Sequence, residues 1–349
     1  MALTLSKPPR LHAGDKVAAI TLSWGGAGAF PARYALGKKR LKEHFDLDVV
    51  ETKNALRDPA WIAANPEARA DDLMEAFSDS SIKGIFSIIG GDDSIRLEPF
   101  IDLNVIARHH KVFMGFSDTT SVHFMCMEAG LSSFYGPAIL SEFAENVACH
   151  PYTIESVRKT LFALDELGEI APSPKWTGER LAWDKPENAT IQRKLYPNAG
   201  PRVLQGKGTA SGPLIGGCLD VLEMLRGTML WPSLDKWKGS ILFLETSEEN
   251  PSPDYFRRWI RGYASMGILE KVSGILLGRP FTGHDLQELG QYDKILLEVV
   301  RDECGLTSLP IMTQMDFGHS DPKFILPYGQ EAEINCGLAR LFLSGAAVK

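Results

Sequence analysis

Apolar runs of strand length alternate with amphipathic stretches through the first half of the chain. Residues 16–21 (KVAAIT), 84–89 (GIFSII) and 111–116 (KVFMGF) are nearly continuous in Val, Ile, Phe, Met and Ala, the pattern of strands buried on both faces. Between the first two, residues 31–45 place Tyr34, Leu41 and Phe45 on one side of a helix. Asn65-Pro66-Glu67 opens another helix with a capping residue, a proline at the first helical position and an early acid, and Ala70, Leu73, Met74 and Phe77 then face inward. Strands separated by helices predict an α/β fold: an N-terminal doubly wound, mostly parallel, flavodoxin-like sheet whose functional edge is the carboxyl ends of its strands.

A helix near residues 153–164 closes this unit. The next stretch, about 168–208, is rich in Pro, Gly, Lys and Asn, with Trp176 and Trp183 as its large apolar residues. It reads as a linker and a loop reaching over a site. A second, smaller α/β unit follows: GPLIGG (212–217) before a helix at 218–226, a strand at 240–245 (SILFLE), a helix at 253–266, a strand at 272–277, a helix at 292–304 and a short strand at 309–312. Residues 324–343 alternate as antiparallel strands do. The expected division is 1–166 for the N-terminal domain, 167–207 for the linker and covering loop, and 208–349 for the C-terminal domain.

Composition narrows the function class. The 349 residues are 44% hydrophobic and 23% charged, with a net charge of −7. The pI is near 5.7 and the mean hydropathy −0.09. This acidic, ordinary globular balance argues against nucleic acid or an anionic membrane surface as the main partner. No apolar run is long enough to span a bilayer, and the opening MALTLSKPPRLHAGDK has no hydrophobic signal core, so a cytoplasmic location is expected. The five cysteines (Cys126, Cys149, Cys218, Cys304, Cys336) lack the spacing of a zinc site or a disulfide frame and read as reduced thiols.

Chemistry is concentrated where strands end. At 111–120 the buried run KVFMGF stops at Ser117-Asp118-Thr119-Thr120 and turns into the apolar helix that carries Val122, Phe124, Met125 and Met127. Such a turn holds its first residue at the sheet's carboxyl edge, so Ser117 is placed either as a nucleophile or as a helix cap. Glu245 ends an otherwise apolar strand. His319 lies in the loop DFGHSDP, and Ser…Glu…His is one order a catalytic triad can take. Each has a plainer alternative: an acid paired with a nearby cation, and a loop histidine held by backbone. His109, His110, His150 and His284 read as solvated, and His123 as a packing residue. The pair Gly90-Gly91 with Asp92 could expose backbone N–H groups toward a developing oxyanion, with the N–H of Asp118 as a second donor. It could equally be a plain turn with Ser94 as the next cap. Trp183 could stack on a planar group or anchor its loop, and Arg279, in a GRP turn, could hold a substrate anion or serve as an ion-pair partner. The carboxylate pairs Asp92/Asp93 and Glu248/Glu249 have no histidine at ligand spacing, so no metal and no cofactor are expected.

The motifs GGDDSIRL, GFSDTT, GPLIGGCLDVL, LETSEE, GILLGRP and FGHSDPKFILPYG, in that order over most of the chain, resemble the LD-carboxypeptidase family of serine peptidases. The resemblance is closer to its microcin C self-immunity (MccF-like) branch. It implies Ser117 as nucleophile, Glu245 as orienting acid and His319 as general base. It also implies an oxyanion hole from the backbone around Gly91, Asp92 and Asp118, no metal, and a homodimer with its site between two domains. GGDDS departs from the GGYGS-like form of murein-recycling members, and Cys218 stands where many relatives have Asn. The long loop with Trp183 resembles the one with which the MccF-like branch stacks on a nucleobase. The implied reaction is cleavage of a C-terminal amide in a peptide-nucleotide or aminoacyl-nucleotide. The alternatives are a murein tetrapeptide carboxypeptidase and, from another class, a non-catalytic small-ligand binding module. An α/β-hydrolase esterase fits less well, because the elbow GFSDT lacks the second glycine of GxSxG.

Overall fold

A computed structural model of the chain describes residues 3–281 and 286–349; His284 lies outside them. The apolar runs of the first half form β1 (Lys16–Ile20), β2 (Asp48–Glu51), β3 (Ile82–Ser87), β4 (Val112–Gly115) and β5 (Phe134–Tyr135), all parallel and in the spatial order β2-β1-β3-β4-β5. This is the flavodoxin-like order, with its topological switch between β1 and β3. The helices Pro31–Phe45 and Pro66–Ser78 make the first two crossovers. Pro66 opens its helix as expected, but Asn65 does not cap it: its amide donates back to the Trp61 carbonyl at 2.7 Å. Tyr34, Leu41, Phe45, Ala70, Leu73 and Phe77 are buried under the sheet, while Met74 is only partly covered.

The second half builds an eight-stranded sheet. Its centre is four parallel strands, Thr209–Cys218, Ile241–Glu245, Gly274–Gly278 and Ile311–Met315, with crossover helices that include Leu219–Leu225 and Pro253–Ser265. The GPLIGG run is the inner part of the first of these strands, so the predicted lead-in to a helix is itself extended chain. The last of them begins and ends later than its apolar pattern suggested, which carries the strand almost to the DFGHSDP loop. Antiparallel strands Glu331–Asn335, Arg340–Leu343 and Gly168–Ile170 extend one side, and Arg202–Gln205 closes the other. Both ends of the 167–207 stretch are thus woven into the second sheet. Among the described residues no helix is long and apolar enough to cross a membrane.

The two sheets are locked together by the segment after Met315. It leaves the second sheet through residues 316–325 and then lays Leu326–Pro327 antiparallel against β5 of the first. Lys323, almost fully buried in this segment, reaches Glu142 of the first half, lies 3.4 Å from Asp321 and sits 3.7 Å above the Phe116 ring. Removing one partner of a buried pair leaves an uncompensated charge, which typically costs about 3 kcal/mol. Lys323→Met should therefore lower the thermal unfolding midpoint clearly. Lys323→Met combined with Glu142→Gln should recover part of that loss, because the stranded carboxylate is removed; an unchanged midpoint in the single variant would contradict the pairing.

Candidate active site

Three loops meet above the carboxyl edges of the two sheets. The first leaves β4. Phe116 is still extended (φ −143°), and at Ser117 the chain turns into the left-handed region with φ 64°. That conformation is costly for a residue with a side chain and is kept only where surroundings enforce it. Here the enforcing contacts are visible. The Ser117 N–H donates to Tyr135 Oη at 3.0 Å, and Thr120 Oγ1 donates to the Ser117 carbonyl at 2.7 Å. The helix proper starts at Thr120, so Ser117 is not its cap. The hydroxyl instead stands 3.0 Å from His319 Nε2.

The second loop carries His319. Its Nδ1 is 2.6 Å from Glu245 Oε2, and Glu245 is the last residue of Ile241–Glu245, fully buried beside Cys218. The approach depends on Gly318 (φ 89°). A Cβ there would come within 2.7 Å of Glu245 Cβ and Oε2, so only glycine lets the histidine reach the acid. Glu245 Oε1 accepts a short hydrogen bond from Tyr135 Oη. Tyr135, whose hydroxyl burial and Glu245 hold far above its ordinary pKa, therefore bridges the acid and the serine backbone as a neutral phenol.

A further carboxylate bears on the same imidazole. Glu248 Oε2 lies 2.6 Å from His319 Nε2, the nitrogen that also faces Ser117. Burial alone would lower the His319 pKa, yet Glu245 and then Glu248 raise it to about 10. The imidazolium in turn holds the Glu248 carboxyl far below the usual range. Both carboxylates favour the doubly protonated ring, and Glu248 occupies the approach to Nε2, the nitrogen that faces the serine hydroxyl.

The third loop follows β3. A side chain at Gly90 would meet Ser117 Cβ and Oγ at 3.0 and 3.1 Å and the Asp118 nitrogen at 3.3 Å, so the missing Cβ is what leaves room beside the hydroxyl. Gly91 (φ 151°) packs against Ser23. Asp92 departs from the expectation: its N–H, with that of Asp93, is donated to Ser23 Oγ at 3.0 and 3.1 Å and so is not directed at the serine. Of the three expected backbone donors, Asp92 is thereby removed. Asp93 is held by Arg69 through two bonds of 2.7 and 3.0 Å, and Ser94, expected as a cap, binds Asp118 through both its N–H and its hydroxyl. The glycine loop is thereby tied to the serine turn.

These loops line a cavity of about 410 Å³ that holds Ser117, His319, Gly90 and Gly91 and is flanked by Trp24 and Trp183. Trp183 has Arg33 over its ring at 4.3 Å and Phe30 against its edge. Trp176 is buried away from the cavity as an anchor, with Arg279 over its ring at 4.4 Å. Arg279 does not line the cavity either. It is almost fully buried, bonded to Asp316 at 2.9 Å and to Asn198 at 3.0 Å, so it is a structural ion-pair partner and has no free guanidinium to offer a substrate. His150 is not solvated as expected: its side chain is mostly covered, 3.6 Å from Glu145, whereas His109 is exposed and His123 fully buried. Among the described residues one group of potential metal donors converges, Cys218, Glu245 and His319, within 4.8 Å of one another. Burial, Glu245 and Asp220 push the Cys218 thiol well above its usual pKa, and metal ligation needs the thiolate. Glu245 and His319 are already paired to each other, so the group suits a metal poorly.

Comparison with known proteins bears on the family and the fold. Residues 15–136 match the model of the LD-carboxypeptidase N-terminal domain and residues 211–334 that of the LD-carboxypeptidase C-terminal domain. The chain is 30% identical to the microcin C7 self-immunity protein MccF of Escherichia coli over 76% of its own length and 75% of that protein. It is 31% identical to the putative carboxypeptidase YocD of Bacillus subtilis over 79% and 81%. The crystal structure of an MccF-like protein from Streptococcus pneumoniae in complex with AMP superposes with a TM-score of 0.86 at 31% identity, covering 95% of this chain and 99% of that one. MccF in complex with aspartyl sulfamoyl adenosine gives 0.87 at 25% identity, covering 99% and 100%.

Two outcomes follow from the geometry. Tyr135→Phe keeps the ring but removes the oxygen joining Ser117 N–H to Glu245; turnover should fall about tenfold to a hundredfold with little change in KM, and unchanged turnover would remove Tyr135 from the site. His319 is faced by Glu245 and Glu248 as charged neighbours and by Ser117 and the Phe116 ring as neutral ones. Replacing Glu248 by Gln removes one influence that raises its pKa, so the rising limb of kcat/KM against pH should move to lower pH. A limb that stays in place would show that Glu248 does not bear on the imidazole in solution.

Proposed function

The chain belongs to the LD-carboxypeptidase family of serine peptidases, and we propose that Ser117, His319 and Glu245 form its catalytic triad. The observation that carries this reading is the unbroken line Ser117 Oγ–His319 Nε2, His319 Nδ1–Glu245 Oε2, at 3.0 and 2.6 Å, set on a serine of left-handed conformation at the floor of a cavity. Once His319 Nε2 is unprotonated it takes the hydroxyl proton as Ser117 Oγ bonds to the substrate's carbonyl carbon. Negative charge then develops on the carbonyl oxygen, beside the N–H groups of Gly91 and Asp118. His319 passes the proton to the leaving nitrogen, the C–N bond breaks, and an acyl-Ser117 ester remains. Water attacks that ester with His319 again as base, freeing the acid and restoring the hydroxyl. Glu245 keeps the ring in the tautomer that presents Nε2 and stabilises the imidazolium.

The substrate we infer is an aminoacyl- or peptidyl-nucleotide cleaved at its amide bond. Two supports bear on it. Trp24 and Trp183 flank the cavity, offering flat surfaces suited to a base. MccF binds aspartyl sulfamoyl adenosine, and the Streptococcus pneumoniae protein binds AMP.

Incubation with an aminoacyl sulfamoyl adenosine and, separately, with murein tetrapeptide, followed by mass spectrometry of the products, tests the choice. The nucleotide substrate should be cleaved faster, and Ser117→Ala should lower kcat/KM by about 10⁴-fold or more. Release of a terminal D-amino acid from the tetrapeptide as the faster reaction would reverse the assignment. Trp183→Ala should raise KM for the nucleotide substrate about tenfold and leave the tetrapeptide nearly unaffected, given what one base–aromatic stack is worth. Equal losses on both would remove the stacking role.

A further inference from the structure

The cavity has a charge that its triad does not require. Among the described residues, Asp92, Asp220, Glu248 and Glu249 line it, against a single guanidinium, that of Arg180. Arg180 is itself engaged, lying 5.2 Å over the Phe281 ring. Asp220 is fixed in place, accepting the Ser247 N–H at 3.1 Å with the Cys218 thiol 3.6 Å away. Glu248 is different in kind. Its side chain is 52% exposed on the turn after Glu245, yet its carboxylate lies 2.6 Å from His319 Nε2. Among the described cationic groups the imidazole acts on it most strongly, and Arg180 more weakly. A productive substrate has to displace the carboxylate from the position between His319 and the scissile carbonyl.

From these two observations, which rest on the triad reading above, we propose that Glu248 is the specificity-determining residue of this site. The substrate it selects carries a cationic group, an ammonium or guanidinium, near the scissile carbonyl. Such a group gives Glu248 a charged partner in place of the imidazolium. Moving the carboxylate onto the substrate weakens the ring's hold on its Nε2 proton, which passes to solvent water, and leaves the free Nε2 facing Ser117, so recognition favours release of the general base. Asp220 and Glu249, on the same wall, add to the field that favours a cation. An aspartyl or glutamyl side chain at that position meets like charge and leaves Glu248 on the histidine. A neutral side chain offers Glu248 no partner and has to displace it unaided.

Lysyl, alanyl and aspartyl sulfamoyl adenosine, assayed in parallel with the full chain, test this. The lysyl compound should exceed the aspartyl one in kcat/KM by about tenfold to a hundredfold, the range expected of a charge-assisted hydrogen bond. In Glu248→Gln the lysyl-to-aspartyl and lysyl-to-alanyl ratios of kcat/KM should each shrink by about tenfold, chiefly through a higher KM for the lysyl compound, whereas a merely structural role for Glu248 would lower all three compounds alike. Equal or faster cleavage of the aspartyl compound by the unaltered protein overturns the proposal and leaves the triad reading standing. No cleavage of any of the three overturns both this proposal and the nucleotide substrate inferred above. Should Glu248→Gln fail to fold, the ranking in the unaltered protein still decides.

Discussion

One imidazole holds the two halves of this molecule in register. His319 comes from the loop after the second sheet's last parallel strand, Glu245 from an inner strand of the same sheet, and Ser117 from the turn after a strand of the first sheet, and the ring's two nitrogens join the acid to the serine. A hydrogen bond of this kind tolerates a few tenths of an ångström of error. The sheets must therefore be fixed relative to one another to that tolerance, and much of the surrounding structure serves this end. Lys323 and the strand Leu326–Pro327 carry the histidine's own loop back onto the first sheet. Tyr135, in that first sheet, reaches across to Glu245 while accepting the serine's N–H. The cavity forms where the loops on either side of the β1/β3 switch meet the serine turn, the place an open α/β sheet leaves for a ligand.

Strain and buried charge are concentrated around that imidazole. Ser117 is held in a conformation disfavoured by its side chain, and the bonds to Tyr135 and Thr120 over-determine it. Arg69 and Asp93, a bidentate pair with the guanidinium fully buried, hold the glycine loop on the other side. Pairs of this kind contribute little net stability but fix geometry, because losing either partner strands the other. Glu248 is the exception: exposed, on a turn, and attached to the site only through its charge.

Much of this could be read from the chain. Strands β1, β3 and β4, the helices Pro31–Phe45 and Pro66–Ser78, and Ser117 and Glu245 where apolar runs stop all follow from the pattern, whereas the short strands Asp48–Glu51 and Phe134–Tyr135 do not. What the pattern could not supply were the long-range pairings. Arg279 stands at a strand end just as Glu245 does, and nothing local distinguishes them. Only the fold brings Asp316 and Asn198 onto Arg279 and so removes it from the cavity. The Asp92 N–H looked available because its acceptor, Ser23, is far away in the chain. Tyr135 was hidden inside a two-residue strand with no motif around it. Glu248 was considered only as half of an acidic pair, since the histidine it meets lies on another loop.

The central claim is that His319 activates Ser117. Treating the protein with a fluorophosphonate and measuring intact mass, then mapping the modified peptide, tests it most directly. A single adduct on Ser117, formed at a rate that His319→Ala lowers by about a thousandfold or more, is the result this account predicts. An adduct on another residue, or labelling of Ser117 at an unchanged rate without the imidazole, would contradict it.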